Sequence, residues 1–232
     1  MTMIRISAVH ALTASIAPIE AAFAQHWPAA EVVNLCDESL YTDYARWGCE
    51  TEEITRRVAA LLEYSVQSGA QGILFSGSLF SKSVETVRAG MSVPVLTAYE
   101  AMIEAAFAAG NGLGLLATVP DTIVAIERDV ADYADTHGLT FTLRAQLVVG
   151  AMDALRGGDS TQHDALVAEA ANDLVDCQAL MLAQHSMGRS RRLITAVPGR
   201  QLVTSPDTAV LKLKRLLDGP SLQSAPESGS GE

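Results

Sequence analysis

The chain has 232 residues, 49% hydrophobic and 19% charged, a globular balance that argues against a disordered protein. Its net charge of -11 argues against nucleic acid and anionic membrane surfaces as partners, because both recruit basic clusters. Cys36, Cys49 and Cys177 have no CxxC spacing and suggest neither a disulfide framework nor a zinc site; with no membrane-length apolar run and no signal-peptide pattern, a cytoplasmic setting is expected.

Residues 4–9 read as a strand that leads into the polar loop 10–15, where Ser15 is placed to cap a helix running toward His26. Residues 31–35 are a second short strand, followed by the acidic loop 36–39. From Thr51, Ile54, Val58, Leu61, Leu62 and Val66 recur on one helical face. Gly72–Phe75 is an apolar run bounded by turn residues, the pattern of a buried strand. Helix 84–89 and strand 94–97 follow. The pattern then restarts with helix Glu100–Ala109, strand Gly112–Ala117 and loop 118–122. Helix 123–136, strand 141–148, helix 164–174, strand 179–183, strand Gln201–Thr204 and an amphipathic helix 211–217 complete it. From residue 218 the composition predicts a disordered tail.

Ser76, Gly77 and Ser78 stand where a strand gives way to a helix start, whose unpaired N–H groups receive a carboxylate or phosphate. Residues 180–190 repeat that shape, with Lys82-Ser83 answered by Arg189-Ser190. Ile16 and Ile123, Gly77 and Gln184, Ser83 and Ser190, and Thr97 and Thr204 are each 107 residues apart. This phase predicts an α/β fold of two pseudo-symmetric, Rossmann-like parallel-sheet lobes with the active site in the cleft between them. The expected lobes are residues 1–97 and 98–204, with helix 205–217 packing back on the first and 218–232 as the tail. A nucleotide-binding reading fails: neither GxGxxG nor GxxxxGK[ST] occurs, and the glycines near 110–114 precede a strand instead of following one.

The layout, with Ile73-Leu-Phe-Ser-Gly-Ser, Ala117-Thr118, Leu182-Ala-Gln-His-Ser-Met187 and Val203-Thr-Ser-Pro-Asp207, resembles the aspartate/glutamate/hydantoin racemase superfamily. That superfamily also holds arylmalonate decarboxylase and maleate isomerase. The resemblance implies a cofactor-independent enzyme, assembled as a homodimer or larger, acting α to a carboxylate or carbonyl of a small acid. It also implies a cysteine in each half, one thiolate removing a proton and the opposite thiol returning one. Gly77 and Gln184 occupy those two places, and neither exchanges a proton near neutral pH. Arylmalonate decarboxylase shares a glycine at the first place but keeps the second cysteine, which Gln184 lacks.

The remaining chemistry rests on other side chains. His185 is an acid–base candidate or a loop histidine bonded to a neighbour, and His10 a substrate ligand or an orderer of its loop. Ser76, Ser78, Thr118, Ser186, Thr204 and Ser205 follow strands, where short hydroxyls orient carboxylate oxygens; helix capping is their ordinary alternative. Gly77 offers room beside bare backbone or a tight turn. Cys36 is a spare thiol or a small buried hydrophobe, Cys177 is structural, and Lys82 and Arg189 face solvent or draw in an anion. Tyr99 and Glu100 are cleft-rim candidates. Three functional readings follow: a racemase-, isomerase- or decarboxylase-like enzyme with a non-standard proton shuttle, a silent carboxylate-binding protein, or a racemase inactivated by substitution at Gly77.

Overall fold

In the computed structural model, which describes residues 3–97 and 99–218, the chain forms two four-stranded parallel sheets. The first contains β1 Arg5–His10, β2 Glu31–Cys36, β3 Gly72–Phe75 and β4 Val95–Leu96, in the order β2-β1-β3-β4. The second contains β5 Gly112–Ala117, β6 Thr142–Leu147, β7 Ala179–Leu182 and β8 Gln201–Thr204, in the order β6-β5-β7-β8. Parallel strands need crossovers, and helices supply them on both faces. That is why every residue of β3 and β7 is buried and apolar or glycine.

The two sheets repeat one register. Ile6 pairs with Gly72 as Leu113 pairs with Ala179, and Ile73 with Val95 as Leu180 with Leu202. All four correspondences keep the 107-residue spacing read from the sequence. The outer strands slip, with Arg5 opposite Glu31 but Gly112 opposite Thr142. The cause is helix length: α1 Ile16–His26 has 11 residues, and its counterpart α6 Pro120–His137 has 18.

Two helices were not expected from the sequence. The acidic loop after β2 continues into α2 Ser39–Trp47, tied down by Arg57, which bridges Asp37 and Asp43. Arg57 lies on α3 Glu52–Gln67, whose first turn is capped by the Thr51 hydroxyl accepting from Ile54 N–H. The short α7 Ala151–Arg156 precedes α8 Ser160–Ala170. Elsewhere the bounds move. Pro120 starts α6 inside the expected loop, since proline suits a first helical turn. The helix after β3 is α4 Ser81–Arg88. The expected tail, apart from residue 218, lies outside the described residues.

The sheets are held together by exchanged helices. α5 Glu100–Ala109 follows the first sheet but packs Met102, Ile103 and Ala106 with Leu115, Met181 and Val203 of the second. α9 Ser205–Leu217, whose amphipathic pattern is legible from residue 211 and whose expected packing segment is 205–217, returns Ala209, Val210 and Leu213 to Ile6, Ala8 and Leu74 of the first. Gly72 permits that approach, because a Cβ there would lie 2.9 Å from Leu217 and 3.3 Å from Leu213. Matching acids fasten both helix starts. Thr97 and Thr204 donate to Glu100 and Asp207 at 3.3 and 2.6 Å. Glu100 meets Arg88 and Lys212, while Asp207 meets Arg191 and His26, so each carboxylate ties together elements distant in sequence. No helix among the described residues is long and apolar enough to cross a membrane.

Leu213 is fully buried in this exchange. Leu213→Ala is expected to lower the unfolding free energy by about 2–5 kcal/mol in a denaturant titration. A loss below about 1 kcal/mol would mean that α9 is not part of the first core.

Candidate active site

Parallel strands direct their carboxyl ends to one edge of a sheet, and the turns after β3 and β7 leave from those edges. The turn Ser78–Phe80 packs on α6 of the second half, and the turn His185–Arg192 packs on α1 of the first. Each central turn is thus pressed against the other half.

On the first side, His10 ends β1 with no exposed surface. Its Nδ1 lies 2.9 Å from Ser76 Oγ and its Nε2 lies 2.9 Å from Asn34 Oδ1. Asn34 Nδ2 donates to Glu20 at 2.8 Å, which leaves the amide oxygen facing the imidazole. His10 therefore carries its proton on Nε2, and Nδ1 accepts from the Ser76 hydroxyl. Burial holds the His10 pKa below the ordinary histidine value, with the Asn34 hydrogen bond working in the opposite direction.

His185 comes from the second side and is 7% exposed. Burial pushes its pKa down to about 4, and the charge of His10 adds to the depression, so the two imidazoles interact across the halves. Its Nε2 lies 3.4 Å from Ser205 Oγ. At neutral pH both rings are uncharged.

The second sheet presents a different pair. Thr118 N–H donates to Gln184 Oε1 at 2.9 Å, which fixes the amide. Gln184 Nε2 and Thr118 Oγ1 are buried and have no hydrogen-bond partner. Two adjacent donors without acceptors are costly in a protein interior and suit an incoming oxygen.

The other candidates have settled partners or stand apart. Ser78 bonds Tyr41 at 3.1 Å, and the Tyr99 hydroxyl lies beside Ser78 and Thr122, a hydroxyl cluster that crosses between the halves. Thr204 is committed to Asp207. Ser186 is half-buried, and Lys82 and Arg189 are exposed, Arg189 pairing with Asp164 at 3.2 Å. Burial raises the Cys36 thiol, helped by Glu38 and Asp37, and the buried Cys177 donates to Leu174 O at 3.0 Å. Asn34, Glu20, Tyr41 and Thr122 were missed from the sequence. Only Asn34 left a trace there, as an amide between the apolar residues of β2.

Gly77 heads a tight turn, its carbonyl accepting from Phe80 N–H at 3.2 Å, but it does not offer room. Its φ of -82° needs no left-handed turn, and the space above it is filled. An added Cβ would lie 2.7 Å from Phe75, 2.8 Å from Phe80 and 3.0 Å from Ala11. The aromatic rings have closed over the place where a side chain would stand. A groove of about 850 Å³ is lined by Cys49, Glu50, Lys82, Asp121 and Arg128 and includes neither Gly77 nor Gln184. Among the described residues, no three His, Cys, Asp or Glu side chains are grouped to hold a metal ion.

Two outcomes are expected. Gly77→Ala must displace packed rings and should cost about 1–3 kcal/mol, read as a fall in Tm, where an unchanged Tm would show open space. His185 is neutral in the fold but protonated in the unfolded chain below about pH 6.5, so the unfolded state binds more protons. Stability should be full above about pH 6.5 and decline as pH falls toward about 4, and His185→Asn should flatten that decline. An identical pH–stability curve for the variant would contradict the buried, neutral assignment.

The chain was compared with known proteins. The model of the Asp/Glu/hydantoin racemase family matches residues 4–213. A search of curated protein sequences finds no match. Among solved structures, allantoin racemase from Klebsiella pneumoniae superposes with a TM-score of 0.71 at 16% identity, covering 93% of this chain and 88% of that one. Glutamate racemase RacE1 from Bacillus anthracis gives 0.68 at 14% identity, covering 94% and 83%. An aspartate racemase homologue from Pyrococcus horikoshii gives 0.68 at 12% identity, covering 94% and 100%. At such identities the structures speak for the fold, and the family match over most of the length speaks for descent: the chain belongs to the Asp/Glu/hydantoin racemase family.

Proposed function

We propose that this protein binds a small carboxylate-bearing molecule where the turns after β3 and β7 meet the other half. We further propose that it acts on the carbon α to that carboxylate or to a neighbouring carbonyl. The lobes in this reading are residues 1–97 and 98–204, with α9 returning to the first. The observation that carries the proposal is the pair Thr118 Oγ1 and Gln184 Nε2, buried donors without partners at the carboxyl ends of β5 and β7. A carboxylate oxygen between them would satisfy both and remove their desolvation penalty. Ser186 and Ser205 border the same side, and family membership makes an amino acid, a hydantoin, a ureide such as allantoin or an arylmalonate the first compounds to try.

Gly77 and Gln184 stand, in this proposal, where the family's racemases carry their two cysteines. The proton shuttle would then differ from a thiol pair, with the uncharged imidazoles of His10 and His185 as the ionisable groups at hand. A second reading is binding without turnover. It is favoured by the same depression of both histidine pKa values, because a less basic imidazole is a poorer acceptor for an α-proton.

Calorimetry and proton NMR in deuterium oxide separate these readings, using both enantiomers of aspartate and glutamate, allantoin, hydantoins and phenylmalonate. The expected result is binding of one class that Thr118→Val weakens about tenfold. Loss of the α-proton signal alongside binding identifies an enzyme, and binding with the signal intact identifies a silent receptor. No binding by any compound, or binding indifferent to both Thr118→Val and Gln184→Leu, would overturn the proposal.

A further inference from the structure

Four side chains from separate elements form one directed chain. Ser76, just beyond β3, touches His10 at the end of β1 at 2.9 Å; His10 touches Asn34 of β2 at 2.9 Å; Asn34 touches Glu20 of α1 at 2.8 Å. Only one assignment of protons satisfies every link. Glu20 accepts from the Asn34 amide nitrogen, the amide oxygen accepts from Nε2–H, and Nδ1 is left to accept from Ser76 O–H. A serine hydroxyl aimed at an imidazole whose far side is oriented by an acceptor is the arrangement that activates a nucleophile, and it is recognised by geometry and not by sequence order.

We propose that Ser76 is an acyl-accepting nucleophile activated by His10, with Asn34 and Glu20 as positioning residues, toward small esters or similarly activated acyl groups. As Ser76 Oγ bonds to the carbonyl carbon, its proton moves to His10 Nδ1 and the carbonyl π pair moves to oxygen. Collapse of the adduct breaks the bond to the alcohol, which leaves with the proton from Nδ1. Water then attacks the acyl-Ser76, its proton passing through Nδ1 to Ser76 Oγ, and the acid is released. Ser76 is 5% exposed, so the acyl donor must be compact. The step asks nothing of Thr118 or Gln184, so it is tested separately from carboxylate binding, and it shares with the proposed proton shuttle only His10.

Diisopropyl fluorophosphate labelling, followed by peptide mass spectrometry and by 4-nitrophenyl acetate hydrolysis, tests it. The expected result is an adduct on Ser76, absent in Ser76→Ala and formed about 10²–10⁴-fold more slowly in His10→Gln. Asn34 and Glu20 are exposed, so they can be changed without opening the core, and they decide the matter if His10→Gln does not fold. Asn34→Leu should slow labelling at least about tenfold with Tm unchanged. The pair Asn34→Asp with Glu20→Gln, which reverses the donor and acceptor of that link, should restore the rate. No adduct on Ser76 in folded protein, while a reference serine hydrolase in the same tube is labelled, would overturn the proposal. Labelling that ignores both His10→Gln and Asn34→Leu would do the same.

Discussion

A parallel strand covered on both faces must release its backbone from the sheet at one end, and the polar groups freed there need partners. β3 and β7 meet this constraint at Phe75 and Leu182, the middle of each sheet. Their turns are not left to solvent but pressed under α6 and α1 of the opposite half. The exchange of α5 and α9 makes this inevitable, because each half completes its core with a helix from beyond the other's strands. Polar residues at the ends of β1, β3, β5 and β7 are thereby buried between the halves.

Burial then decides their chemistry. His10 and His185 are held uncharged at neutral pH because a cation would be poorly solvated there, and the charge of His10 further depresses His185. Ser76 is drawn to His10, Ser78 to Tyr41, and Thr204 to Asp207, so these hydroxyls are already partnered. Thr118 and Gln184 differ, and the asymmetry between the halves is informative. The first side closes on itself around Gly77 with two phenylalanine rings, whereas the second keeps two buried donors without a partner.

Much of the fold was legible in the sequence. The buried strands announced themselves as apolar runs between turn residues, and Glu100–Ala109, Gly112–Ala117 and Gln201–Thr204 lie where the pattern placed them. The 107-residue spacing was visible because strand pairing tolerates changed side chains but not changed phase. What stayed hidden depended on contacts distant in sequence. α2 buries only Leu40 and is fastened by Arg57 from the next helix, and the His10–Asn34–Glu20 chain joins three elements that no local period connects. Gly77 reads as space in a sequence; only the placement of Phe75 and Phe80 shows it filled.

The central claim is that the second side's partnerless donors are there to receive a ligand oxygen. A crystal structure grown with the tightest-binding carboxylate of the panel tests it most directly. The account predicts one carboxylate oxygen within about 3.2 Å of both Thr118 Oγ1 and Gln184 Nε2. A ligand seated instead in the groove beside Cys49 and Glu50, with Thr118 and Gln184 unchanged, would contradict it.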